Sequence, residues 1–119
     1  MSLHLELGAM VEQVFGKQLD SPVEQKQDAL IVRLKNGVTL TVRYAAPDAY
    51  SMQWTHGDAG AGIDTAPLHH GLASFPNHFH DAGGVVAADP ITHPGAPPGD
   101  NLQRLIRALL DDPALASSA

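Results

Sequence analysis

The spacing of apolar positions changes twice along the chain. Leu3, Leu7, Met10, Val11, Val14 and Phe15 recur at helical intervals, with Glu6, Glu12, Gln13 and Lys17 on the other side. That spacing predicts an amphipathic helix over residues 1–19, ended by Asp20-Ser21-Pro22. Leu3, Leu5 and Leu7 also alternate, so the first residues fit a strand as well. From 27 to 65 the period drops to two. Leu30, Val32 and Leu34 alternate with Ile31, Arg33 and Lys35; beyond Asn36-Gly37, Val38, Leu40 and Val42 alternate with Thr39, Thr41 and Arg43. A two-residue loop at Asn36-Gly37 would set apolar side chains opposite polar ones throughout. A three-residue loop, Lys35-Asn36-Gly37 with Gly37 left-handed, pairs Leu34 with Val38, Val32 with Leu40 and Leu30 with Val42. Since register follows the buried face, the sequence predicts the three-residue loop.

A third strand follows Ala45-Ala46-Pro47-Asp48, with Tyr50, Met52, Trp54 and His56 on one face. Gly57 to Gly62 reads as a flexible loop, and Ile63-Asp64-Thr65 as a short fourth strand. Residues 66–99 hold histidine-rich and proline-rich loops with a short strand near 85–88. Leu102, Leu105, Ile106, Leu109 and Leu110 form an apolar stripe that predicts a C-terminal helix over 100–112, capped by Asp100 or Asn101. The expected fold is therefore α+β, with residues 1–119 as a single domain. A mainly antiparallel β-meander carries an N-terminal and a C-terminal helix packed on one face.

Composition narrows the chemistry. The chain has no cysteine, which removes disulfides, thiolate nucleophiles and cysteine-based zinc sites. No apolar run reaches the roughly 18 residues of a membrane span, and no basic region precedes an apolar stretch at the N-terminus. A cytoplasmic protein without membrane contact is expected. The formal charge of −6 disfavours a large phosphate-binding surface, although protonated histidines would reduce the deficit. Arg33 and Arg43, on the polar face of the meander, make its one clustered basic surface.

Four of the seven histidines fall in HHGLASFPNHFHD, His69 to Asp81. His78 and His80 would project from the same side of an extended backbone, about 7 Å apart. Three readings are open. The histidines can lie on an exposed loop. They can bind a divalent transition metal through His70, His78 and His80 with Asp64, although no HExxH spacing is present. Or His78 and His80, with His69 or His70 as a third member, can act as acid and base in cofactor-free phosphodiester cleavage. In that last reading Arg33 or Arg43 holds the phosphate and Asp64 or Asp81 orients an imidazole. His56, His4 and His93 read as structural or incidental.

The order of these pieces resembles the TumE-type toxin family of prokaryotic toxin–antitoxin modules. The matching segments are Tyr50-Ser51-Met52-Gln53-Trp54, then Asp64-Thr65-Ala66-Pro67-Leu68-His69-His70, then Ser74-Phe75-Pro76-Asn77-His78-Phe79-His80. The chain departs from the family motif at Leu68, an insertion, at Thr65 in place of Asn, and at Asn77, where a His is usual. The resemblance implies a growth-inhibiting toxin acting on RNA and neutralised by an antitoxin protein. Asp64, His69, His70, His78 and His80 are the positions it carries over. A second copy of the chain is a further candidate partner.

Overall fold

The computed structural model describes residues 2–115, and its seven strands form one antiparallel sheet in sequence order. The elements run α1 (Leu3–Phe15), a 3₁₀ turn (Gly16–Gln18), β1 (Glu24–Gln25), β2 (Leu30–Arg33), β3 (Val38–Ala46), β4 (Ala49–His56), β5 (Ala59–Asp64), β6 (His78–His80), β7 (Val86–Ala88) and α2 (Pro98–Asp111). The β2–β3 register is the expected one: Leu30 faces Val42, Val32 faces Leu40, and Gly37 closes the loop at φ +95°. Leu30, Val32, Val38, Leu40, Val42 and Met52 point to one side of the sheet and are buried against both helices. From α1 come Leu7, Val11 and Phe15; from α2 come Leu102, Leu105, Ile106 and Leu109. Each of these side chains contributes roughly 1.5–3 kcal/mol by leaving water. Trp54, stacked on Phe79 at 6.1 Å, carries the core across to β6 and bonds the Pro113 carbonyl at 3.0 Å. No helix among the described residues is long and apolar enough to cross a membrane.

Three expected boundaries need correction. The glycine-rich segment is not a loop: Ala59 to Asp64 form β5, paired with β4 from His56–Ala59 to Ser51–Asp64. The loop shrinks to Gly57-Asp58, where Gly57 sits at φ +60°. Glycine weakens a strand in isolation, but here β4 pairs with the whole of β5 and β6 with its last three residues. Gly62 packs so tightly that a Cβ would lie 3.3 Å from the Met52 carbonyl oxygen. The C-terminal helix begins at Pro98, two residues early, because proline already has the φ of a first helical turn and lacks only a donor that would be unused there. Asn101 is not a cap; its side chain is buried and bonds both the N–H and the carbonyl of His93. The N-terminal helix stops at Phe15, and residues 16–18 continue as a 3₁₀ turn.

Candidate active site

Antiparallel pairing decides which polar side chains meet. Arg43 faces Ser51, Ser51 faces Asp64, and Asp64 faces His78, forming one row on the sheet face away from the helices. The adjacent row runs Thr41, Gln53, Gly62, His80. His78 and His80 are therefore on the same side, as an extended backbone requires, while Phe79 between them enters the core. Their ring centroids are 4.7 Å apart, nearer than the 7 Å backbone repeat, because the rings lean together edge to face.

Asp64 holds the pair. Its Oδ1 lies 3.1 Å from His78 Nε2 and its Oδ2 lies 3.7 Å from His80 Nε2. The carboxylate is fixed in turn by the chain that follows it. Ala66 N–H donates to Oδ1 at 3.0 Å, and Thr65 is stitched to the Tyr50 backbone through both its N–H and its hydroxyl. Beyond Pro67 two consecutive turns, Leu72 N–H to the His69 carbonyl and Phe75 N–H to the Leu72 carbonyl, fold the loop back over the sheet. They bring His69 onto the pair, 4.7 Å from His78 and 6.1 Å from His80 between centroids. One ring nitrogen from each of His69, His78 and His80 fits within a mutual separation of 4.8 Å. His78 is closed off beneath the loop at 1% exposure, whereas the His80 side chain is 42% exposed. The loop passes through a cis peptide bond at Phe75–Pro76, and the Pro76 carbonyl lies 3.3 Å from His78 Nδ1. A carbonyl only accepts, so Nδ1 carries a proton there. His78 Nε2 then faces a carboxylate oxygen, and a lone pair on Nε2 would oppose it.

Asn77 projects to the other side of β6. Its amide donates to Asp89 Oδ2 at 2.7 Å and to the Thr92 carbonyl at 2.8 Å. Asp89 also accepts from the Thr92 hydroxyl and from the N–H groups of Ile91 and Thr92. Ser74 joins the same structure, donating to the Asn77 carbonyl and accepting from Asp89 N–H. Thr92 in turn contacts the Tyr50 hydroxyl at 2.7 Å. Burial pushes the Tyr50 phenol up to about 12; the Thr92 bond pulls it back and the Asp89 charge pushes it further up. This network clamps the loop to the segment after β7 and so fixes the backbone that enters His78. Position 77 thus faces away from the histidines and takes no part in the cluster.

Three sequence-derived candidates lie elsewhere or serve another purpose. His70 is not with the other three; it is exposed and stacked on Phe75 at 4.5 Å. The histidine that joins the group is therefore His69, not His70, because the turn at His69–Leu72 sends only the first of the two rings inward. Asp81 does not orient an imidazole: its Oδ1 accepts from Gly83 and Val85 N–H and caps the β6–β7 turn. Arg33 lies on β2, four strand spacings or about 19 Å from β6. Its guanidinium bonds Glu24 at 2.8 Å, and together Lys26 and Arg33 hold the Glu24 carboxyl below its ordinary range. Arg43 is nearer, two spacings or about 10 Å from β5, and shares with Asp64 the wall of a groove of 390 Å³. A second groove, of 420 Å³, has Gly60 and Gly62 in its floor and Gln53, Thr55, Asp64 and His80 along its sides. His4 accepts from Tyr44 N–H, and His56 bonds the Asn36 carbonyl oxygen, so both serve the scaffold.

A family model described as toxin TumE matches residues 7–114. No curated protein and no solved structure matches the chain. The matched span contains every described strand, α1 from Leu7 onward, the whole of α2, and Asp64, His69, His78 and His80. The chain belongs to the TumE toxin family.

Proposed function

We propose that this toxin cleaves RNA by acid–base chemistry at the Asp64–His80 edge of the cluster, without a metal in the reaction. The observation that carries this reading is the bridging Asp64 carboxylate, which contacts the Nε2 atoms of both His78 and His80. A carboxylate beside an imidazole fixes the ring and stabilises the cation formed when the ring takes a proton. His80 is the more exposed of the bridged pair, and among the described residues no hydrogen bond engages its Nδ1, so it is assigned the base. It removes the proton from a ribose 2′-hydroxyl, the 2′-oxygen attacks phosphorus, and the bond from phosphorus to the 5′-oxygen breaks. His69, across the cluster, gives its proton to that departing oxygen. The products are a 2′,3′-cyclic phosphate and a 5′-hydroxyl. Positioned proton transfer of this kind contributes about 10²- to 10⁴-fold to a rate.

His78 is too buried to meet the substrate; it acts as the partner that locks Asp64 in place. Arg43 neutralises a phosphate next to the scissile one. The glycine floor between Gln53 and His80 lets a nucleotide approach the backbone closely. Family membership makes a cognate antitoxin the protein partner. Product analysis tests the chemistry. Cleavage should leave a cyclic phosphate and should stop at a position whose ribose is 2′-deoxy. Products ending in 3′-hydroxyl and 5′-phosphate would rule out attack by the 2′-oxygen.

A further inference from the structure

We infer that the same cluster is a binding site for one divalent transition-metal ion, such as Zn²⁺, and that occupancy silences the acid–base site; the second part rests on the function proposed above. The argument starts from His78. Its Nδ1 proton is committed to the Pro76 carbonyl, which leaves Nε2 aimed at Asp64 Oδ1 from 3.1 Å. Something positive has to lie between a ring lone pair and a carboxylate. A proton satisfies that demand, and so does a metal ion bound to both.

The separations fit the ion. Ligand atoms at about 2.0–2.1 Å from a tetrahedral zinc are roughly 3.4 Å from one another. The two contacts of Asp64, from Oδ1 to His78 at 3.1 Å and from Oδ2 to His80 at 3.7 Å, lie on either side of that value, one from each oxygen. The three histidine nitrogens lie within 4.8 Å, so the widest pair must close by about 1.4 Å. That closure falls on His69 and His80, whose rings are only partly buried, while His78 stays fixed. Second-sphere support is also in place. The Pro76 carbonyl sets the His78 tautomer, and Ala66 N–H orients Asp64, as outer hydrogen bonds do around protein metal sites. His69, His78 and His80 thus supply three ligands, and Asp64, in contact with two of them, becomes the fourth when one of its oxygens closes on His69 as well. The donor set, three imidazoles and one carboxylate, suits zinc and its neighbours rather than magnesium or calcium.

An ion bound to His80 Nε2 leaves that ring's proton on Nδ1, the atom the base needs unprotonated. Occupancy and proton transfer therefore exclude each other, and free transition metal would act as an off-switch on the toxin. The test uses full-length protein without an appended histidine tag, stripped with chelator. Zn²⁺ is titrated calorimetrically into wild type, His69→Ala and Asp64→Asn, and RNA cleavage is followed in parallel. The expected result is one ion per chain in wild type, at least tenfold weaker binding in both variants with melting curves near wild type, and loss of cleavage at one equivalent of Zn²⁺. Absence of saturable one-to-one binding, or undiminished binding by both variants, would overturn the site while leaving metal-free cleavage standing. One-to-one binding with cleavage that requires the ion would keep the ligand set, overturn the off-switch, and overturn the metal-free mechanism with it.

Discussion

Replacing Asn77 with alanine tests whether the backbone entering His78 is held as described. Asn77 is 2% exposed, and its amide makes two short bonds, one to the charged Asp89 carboxylate and one to the Thr92 carbonyl. A hydrogen bond to a charged group contributes about 1.5–3 kcal/mol and a neutral one about 1 kcal/mol. Both acceptors stay buried after the change, but Asp89 keeps the Thr92 hydroxyl and two backbone donors. The net cost is therefore about 3 kcal/mol, near the sum of the two bonds and without a large added penalty for an orphaned charge. For 119 residues the entropy of unfolding is roughly 250 cal/mol/K, so each kcal/mol moves the melting point by about 4 °C. Calorimetry or circular dichroism should show Asn77→Ala melting about 12 °C below wild type. A decrease under 3 °C would mean that the amide does not bridge the loop to Asp89, and that the clamp does not exist.

Other outcomes follow from the same geometry. Arg43→Ala should raise KM for RNA several-fold with little change in kcat, whereas Arg33→Ala should leave both unchanged, because Arg33 is engaged by Glu24 on a distant strand; steady-state kinetics on one oligonucleotide separates them, and equal effects would refute the placement. Asp64→Asn should lower kcat at least about 10²-fold, since an amide bridges two imidazoles but cannot stabilise a cation on either. At high pH the sign is set by Tyr50. Its folded value, near 12, exceeds the ordinary value near 10, so the stability it contributes is complete below pH 10 and is lost as pH rises through 12. Tyrosinate absorbance should stay low in the folded protein at pH 10.5 and increase with unfolding between pH 10 and 12; free titration at pH 10 without unfolding would contradict the burial.

Much of this arrangement was legible in the sequence wherever a short period met a buried face. The alternation in 30–42 specifies both the strands and their register, because a one-residue slip would turn Val32, Leu40 and Val42 outward. The i, i+2 spacing of His78 and His80 likewise places both rings on one side of β6. What failed to show was whatever depends on contacts between distant segments. Gly60 and Gly62 carry no side chain to reveal a strand, and only pairing with β4, and at Gly62 with β6 as well, makes one. His69 and His70 are chemically identical neighbours, separated by which ring a loop turn sends inward. Asp64 and Asp81 are the same residue type, and Asp81 is the nearer to the His78/His80 pair in sequence, yet pairing across β5 and β6 sends Asp64 to the rings and a tight turn takes Asp81. The Asp89-Pro-Ile-Thr92 segment did offer a sign, since an aspartate followed by free N–H groups two and three residues later is a local turn former. Its partner Asn77 lies twelve residues away, and nothing local in the sequence pairs the two.

The central claim is that the exposed imidazole bridged to Asp64 carries the reaction. Its most direct test is RNA cleavage by chelator-treated wild type beside His80→Ala, with melting curves taken on both. The expected outcome is cleavage by wild type in chelator and a fall of at least about 10²-fold in the variant, with the melting point within a few degrees. Cleavage by His80→Ala at the wild-type rate, or none by the stripped wild type, would contradict it.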